Sequence, residues 1–200
     1  MKNLAVLVSG GGSNMQSIAD SAKNGALKGL AKVVLVISNN HAAYALERAK
    51  NENIKSVCVE RKNYADAFSF NAAILKNLEE NKIDIVCLAG YMTIVGVDII
   101  DKYKGKILNI HPALLPKFGG RGMYGHRVHE AVIEAKEKKS GATVHFADEN
   151  YDTGKIVMSE EVPVFDGDTP ELLAARVLEA EHEIYPLAIK KVIENLDKEV

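Results

Sequence analysis

The sequence predicts an α/β fold, a mostly parallel Rossmann-like sheet with helices on both faces and a C-terminal antiparallel edge portion. Two observations carry that expectation. Short runs rich in Val, Ile and Leu alternate with segments of helical spacing and charged faces, as in a parallel sheet covered on both sides. The last third of the chain then drops the alternation. Buried strands are expected at residues 4–8, 33–37, 56–59, 83–89 and 107–110. Helices are expected between them at 15–24, 44–52, 66–81 and 97–103. Residues 142–146 and 156–164 are strand candidates with no helix between them, so a hairpin-like or edge pair is expected. Thr169-Pro170-Glu171 opens a long final helix. Thr169 caps it, Pro170 suits its first turn and Glu171 favours its dipole.

The chain has 200 residues, 47% of them hydrophobic, which is enough for one real core and leads us to expect a single domain over 1–200. Basic and acidic residues number 25 and 27, for a net charge of −2 with no basic arm or stripe, which disfavours a nucleic-acid partner. The first apolar run ends at Val8 against Ser9-Gly10-Gly11-Gly12, too short for a secretory signal. No stretch approaches the ~18 apolar residues that span a bilayer. Cys58 and Cys87 each sit in an apolar run and read as small buried hydrophobes in a reducing compartment. Together these features predict a cytoplasmic protein without a membrane partner.

In an open parallel sheet, ligands sit outside the carboxyl ends of the strands. Four loops meeting that condition carry chemistry: 9–14, 90–95, 109–116 and 147–154. The first is Ser9-Gly10-Gly11-Gly12-Ser13-Asn14, followed by a helix. Its glycines let backbone N–H groups close around an anion, and the helix N-terminus adds positive potential. Ser13 or Asn14 is expected to donate or to cap. Met15 stands where a dinucleotide fingerprint has its third glycine, and no Gly-Lys-Ser/Thr follows, so the loop suits a simple phosphate. In the fifth strand, alternation puts Asn109 and His111 on one side and Leu108 and Ile110 on the other. An amide donor and an imidazole converging at a strand end suit an oxygen that becomes negative. Residues 147–154 supply Asp148, Glu149 and Asp152, any of which could favour the imidazolium of His111. Each pattern also has a plain reading: a glycine turn, a half-exposed edge strand, a solvated acidic loop. His126 and His129 share a helical face but match no zinc motif, so a surface or loop pair is expected, with no metal. His145, beside Val144 and Phe146 in a strand, reads as structural though close to the site.

Asn109-Ile110-His111-Pro112-Ala113-Leu114-Leu115-Pro116 resembles a segment of the folate-dependent formyltransferases. Gly141-Ala142-Thr143-Val144-His145-Phe146 with Asp152-Thr153-Gly154 resembles the signature of those acting on glycinamide ribonucleotide. The N-terminal glycine loop, Ala89-Gly90-Tyr91-Met92 and Glu181-His182-Glu183-Ile184-Tyr185-Pro186 fit the same family, so the resemblance runs in order over almost the whole chain. It implies Asn109, His111 and Asp152 as the catalytic trio and 10-formyltetrahydrofolate as cosubstrate. It implies Gly12, Ser13 and Asn14, with Gly11 adjacent, as the ribonucleotide-phosphate loop, and Glu181 near the glycinamide amine. Met92, Thr93, Ile94 and Val95 fall on the segment meeting the pterin, largely through backbone, with Asn109 also facing the folate. A cis Leu115–Pro116 bond is common in the family. Departures stand at Thr93, where arginine is common, and at Leu178, where a polar residue often supports the phosphate. Arg121 or Lys117 could replace that contact.

The implied reaction moves a formyl group onto the amine of glycinamide ribonucleotide in purine biosynthesis. Asn109 and protonated His111 stabilise the oxyanion and Asp152 assists. A formyltetrahydrofolate hydrolase, or a formyltransferase with another acceptor, is the alternative. The chain's start and its end at Val200 leave no obvious room for the hydrolase's regulatory domain or an RNA-binding extension. A non-enzymatic nucleotide-binding regulator would use the glycine loop but leave the trio unexplained.

Overall fold

The computed structural model describes residues 1–198. Its strands are β1 (Lys2–Val8), β2 (Ala31–Ser38), β3 (Lys55–Cys58), β4 (Ile85–Leu88), β5 (Ile107–His111), β6 (Lys139–Phe146) and β7 (Ile156–Pro163). Its helices are α1 (Ser13–Asn24), α2 (Tyr44–Asn51), α3 (Ala67–Glu80), α4 (Val97–Lys102), α5 (His126–Glu134) and α6 (Pro170–Leu196). The strands form one sheet in the order β3-β2-β1-β4-β5-β6-β7. β1 to β5 pair in parallel, and β6 and β7 add on antiparallel. The expected fold class is the observed one. Chain order reverses direction between β1 and β4, the switch point at which such sheets open a crevice.

Strand alternation sorts the core into two layers. Leu4, Val6, Val8, Cys87, Leu108, Ile110 and Val144 face α1, α2, α5 and α6, and Tyr185 of α6 is fully buried there. Ala5, Leu7, Val86, Leu88 and Ile107 face α3 and α4, through Phe70, Ile74, Leu78 and Ile99. That second layer takes only Ile107 from β5 and nothing from β6 or β7. The same sheet face beyond Ile107 is left open by helices, and Asn109 and His111 point into that opening.

The helix boundaries follow local chemistry. Asp66 caps α3 by accepting from the Ser69 N–H at 2.7 Å, and Thr169 caps α6 through the Leu172 N–H. One sequence expectation fails at the sheet edge. The strand expected at 56–59 is not buried: β3 has a single neighbour, and Lys55, Ser56 and Cys58 are exposed. Cys87 is buried as expected and Cys58 is not, because an apolar run reveals its length and not its place in the sheet.

Candidate functional site

A cavity of about 560 Å³ opens at the carboxyl ends of β1, β4 and β5. Its walls are the loop after β1, the loop after β4, the start of α5, the 147–152 segment and one face of α6.

The loop after β1 forms the first wall. Gly12 is the N-cap of α1, with φ +74°. A Cβ there would lie 2.5 Å from the Cβ of Ala45, so both conformation and space demand glycine. The expected capping by Ser13 or Asn14 does not occur. No side chain caps α1, which leaves its leading N–H groups for a ligand. Asn14 turns aside because α6 brings Glu181 to it: Asn14 Nδ2 donates to Glu181 Oε2 at 2.6 Å, and both residues are buried. Burial raises the Glu181 carboxyl above its usual range, and the Asn14 bond only partly offsets this. Asn14 Oδ1 is buried without a partner, an acceptor available to a ligand's donor.

The segment after β4 forms the second wall. Met92 and Ile94 are exposed at the cavity, while Val95 is buried. The Met92 N–H donates to Ser9 Oγ at 2.8 Å, tying this segment to the glycine loop. Thr93 Oγ1 accepts from Asn39 Nδ2 at 2.6 Å.

The third wall is a side-chain cluster on β5 and β6. Antiparallel register sets Asn109 opposite His145 and His111 opposite Thr143, and opposed residues share a face. His145 Nδ1 lies 2.8 Å from the Phe146 carbonyl, which only accepts, so Nδ1 carries the proton and Nε2 is the acceptor. Asn109 Nδ2 donates to that Nε2 at 3.0 Å and points to Asp152 Oδ1 at 3.4 Å. His111 Nε2 donates to the Phe118 carbonyl at 2.8 Å, and its Nδ1 is 3.5 Å from Asp152 Oδ2. Asp152 also accepts from the Gly120 N–H at 2.9 Å.

Asp152 is thus the carboxylate that reaches His111, whereas Asp148 is turned to Thr153 and the Asn150 N–H. Its route differs from the expected one. β6 runs antiparallel, so its carboxyl end lies beside the amino end of β5, with Phe146 paired to Leu108. The loop therefore reaches the cluster by folding back over the sheet face. Asp152 adopts φ +56° in this fold-back, and Gly154 passes so near the Phe146 carbonyl that a Cβ would collide with it.

Opposing influences act on the charge of His111. Burial is the largest influence and lowers its pKa below the usual histidine value, although Asp152 and the Phe118 carbonyl oppose it. Asp152 moves the other way. Burial pushes its carboxyl up, but His111 and the Gly120 N–H hold it below its usual range.

Sequence reasoning missed two residues. His145 was expected to be structural though close to the site, and it sits at the centre of the cluster. Its signal was its alternation with Thr143, readable only once the register with β5 is known. His129 was expected in a surface pair with His126. His126 is exposed, but His129 is buried on α5, lines the cavity and is pushed down to about 4 by burial, then by His126 and His111. Leu178 lines the cavity, whereas Lys117 points out to Glu137 at 2.8 Å and Arg121 is exposed away from the lining. Neither cation fills the place of the missing polar group. The Leu115–Pro116 bond is cis, as the resemblance implied.

Among the described residues, no group of three or more His, Cys, Asp or Glu side chains is placed to hold a metal ion. No described helix is long and apolar enough to cross a membrane.

A family model described as formyl transferase matches residues 2–189. The phosphoribosylglycinamide formyltransferase of Haemophilus influenzae is 43% identical over 190 residues, covering 95% of this chain and 86% of that protein. The trifunctional purine biosynthetic protein adenosine-3 of Chironomus tentans is 41% identical over 96% of this chain, which spans 14% of that protein's length. Among solved structures, glycinamide ribonucleotide transformylase 1 from Symbiobacterium toebii superposes with a TM-score of 0.91 at 38% identity, over 98% of this chain and 89% of that one.

Proposed function

Since the chain belongs to the formyl transferase family, we propose that it transfers the formyl group of 10-formyltetrahydrofolate to the amine of glycinamide ribonucleotide. One observation carries this reading: a backbone anion cradle and the Asn109, His111 and Asp152 cluster line the same cavity. The ribonucleotide phosphate docks on Gly11, Gly12, Ser13 and Asn14, and Glu181 lies toward the glycinamide amine. The pterin lies against Met92, Thr93, Ile94 and Val95 and the Asp152 loop, with its formyl group at Asn109. The folate supplies the formyl group and a leaving nitrogen.

The amine attacks as a neutral nucleophile. Its lone pair forms the new C–N bond while the carbonyl electrons move onto the formyl oxygen. Asn109 Nδ2–H and His111 Nε2–H are placed to meet that oxygen. Asn109 Nδ2 now serves His145 Nε2 and Asp152 Oδ1, and His111 Nε2 serves the Phe118 carbonyl. A full oxyanion is a stronger acceptor and draws them over as charge develops. Asp152 favours the second proton on His111, at Nδ1, against the effect of burial. It also assists a water that carries the proton from the amine to the departing folate nitrogen. Collapse breaks the bond from the formyl carbon to that nitrogen and releases tetrahydrofolate. No covalent enzyme intermediate is required. Neither cysteine lines the cavity, and burial pushes the Cys87 thiol up to about 12.

The reading includes one domain over 1–200, small-molecule partners without nucleic acid or membrane, no metal and a cytoplasmic setting. Purified protein with 10-formyltetrahydrofolate and glycinamide ribonucleotide tests it. Release of tetrahydrofolate that depends on ribonucleotide is expected. Release at the same rate without ribonucleotide would favour the hydrolase.

A further inference from the structure

We propose that Arg48 is a positioning residue for the phosphate cradle. From behind the glycine loop, it turns a backbone N–H inward and supplies the positive charge that the cavity lining lacks. The inference rests on the reading that a phosphate docks on residues 11–14.

The start of α2 packs against the outer side of the loop. The Ala45 N–H donates to the Gly10 carbonyl at 3.1 Å, and Arg48 Nε donates to the Gly11 carbonyl at 2.9 Å. A trans peptide is planar, with its C=O and the following N–H on opposite edges. Holding the Gly10 and Gly11 carbonyls toward α2 therefore turns the Gly11 and Gly12 N–H groups the other way, toward the cavity. The Arg48 side chain also backs Gly12, with its Cδ 3.5 Å from where a Cβ would sit. Its guanidinium lies over the Tyr44 ring, 5.1 Å from the centroid.

Charge makes the second half of the argument. Neither Lys nor Arg is among the residues lining the cavity, and Leu178 adds an apolar patch beside the cradle. A phosphate there meets N–H dipoles and, one peptide unit behind them, the Arg48 guanidinium. Among the described residues Arg48 forms no ion pair with a carboxylate, so its charge is not already neutralised. Its field reaches α6, where burial first and Arg48 second hold His182 below the usual histidine range.

Arg48→Ala, Arg48→Lys and Arg48→Gln, assayed as full-length protein, separate this role from simple bracing. Wild type should use glycinamide ribonucleotide far better than the dephosphorylated ribonucleoside. In Arg48→Ala, KM for the ribonucleotide should rise about tenfold, the scale of one charge-assisted contact. Its kcat and folate KM should stay within about twofold, and inorganic phosphate should inhibit correspondingly less well. Its kcat/KM for the ribonucleoside should match wild type. Arg48→Lys keeps the charge and Arg48→Gln a donor, so each should recover part of the loss. They also carry the test if the alanine variant does not fold. Wild-type ribonucleotide KM in all three variants overturns the inference while leaving phosphate docking intact, as do equal losses on ribonucleotide and ribonucleoside. A wild type that does not distinguish the two substrates overturns the docking reading, and this inference with it.

Discussion

At the glycine-loop end of the cavity, backbone does the holding. Gly12 at φ +74° starts α1 without a side-chain cap, and α2 ties two loop carbonyls outward. At the β5–β6 end, side chains do it. Asn109, His111, His145 and Asp152 lie within 3.5 Å of one another in a chain of contacts. A backbone cradle tolerates exchange of the side chains it carries but not of the glycine that shapes it. A side-chain cluster depends on each functional group and on the register that brings it there.

The largest expected effect tests the cluster. His111→Ala should lower kcat by ~10²–10³ through loss of an oxyanion donor, with ribonucleotide KM little changed. Asp152→Asn should lower kcat less, and the double variant should be little worse than His111→Ala, because coupled groups are not additive. An NMR titration should find the His111 pKa below the usual value, and lower again in Asp152→Asn, since the carboxylate is the influence opposing burial. Full additivity and an unchanged titration would mean the two act independently.

The matching blow to the other end is Gly12→Ala. Its methyl would meet Ala45 at 2.5 Å in a left-handed backbone. Ribonucleotide KM should rise about tenfold or more while folate affinity holds, with about 1–3 kcal/mol lost in stability. Titration calorimetry with each substrate and a urea melt would read both, and equal weakening of both substrates would erase the distinction between the two ends.

Acid and base should separate the ends by sign. His129, beside the cluster, titrates at about 4 when folded and near ~6.5 when unfolded. The unfolded chain therefore binds the extra proton first as pH falls, and stability drops from about pH 6.5 toward 4, by up to ~3 kcal/mol. His111 adds in the same direction. Glu181, at the other end, has a raised pKa and binds its proton more tightly when folded. Its contribution is present at low pH and lost as pH rises through its titration. Urea melts across pH should show a smaller acid loss in His129→Gln than in wild type, and an identical slope would remove His129 from the account.

Thr93→Ala should do the least. Its hydroxyl accepts from Asn39 rather than facing the cavity alone, and backbone contacts at 92–95 survive the change. Folate affinity within about twofold of wild type is expected, since losing one half-buried neutral hydrogen bond costs about 1 kcal/mol. Complete loss of folate binding would reveal a side-chain role at a wall assigned to backbone.

The sequence by itself determined the strand–helix alternation and the two-layer core. Periodicity encodes which side of an element is apolar, and Leu4, Val6 and Val8 separate cleanly from Ala5 and Leu7. It also placed Asn109 and His111 on one strand face, because that is a local fact of a single strand. Local pattern carried no information about β3 as an exposed edge, the open sheet face beyond Ile107, or the pairing of His145 with Asn109. Nor could it show Asp152 arriving over the sheet rather than from a strand's carboxyl end, or Arg48 reaching Gly11 across 37 positions. Those are contacts between residues far apart in the chain, set by strand order, direction and register. Only the tertiary structure decides them, because burial, which lowers the His111 pKa and raises that of Glu181 by disfavouring the charged form of each, exists only once the layers have closed around them.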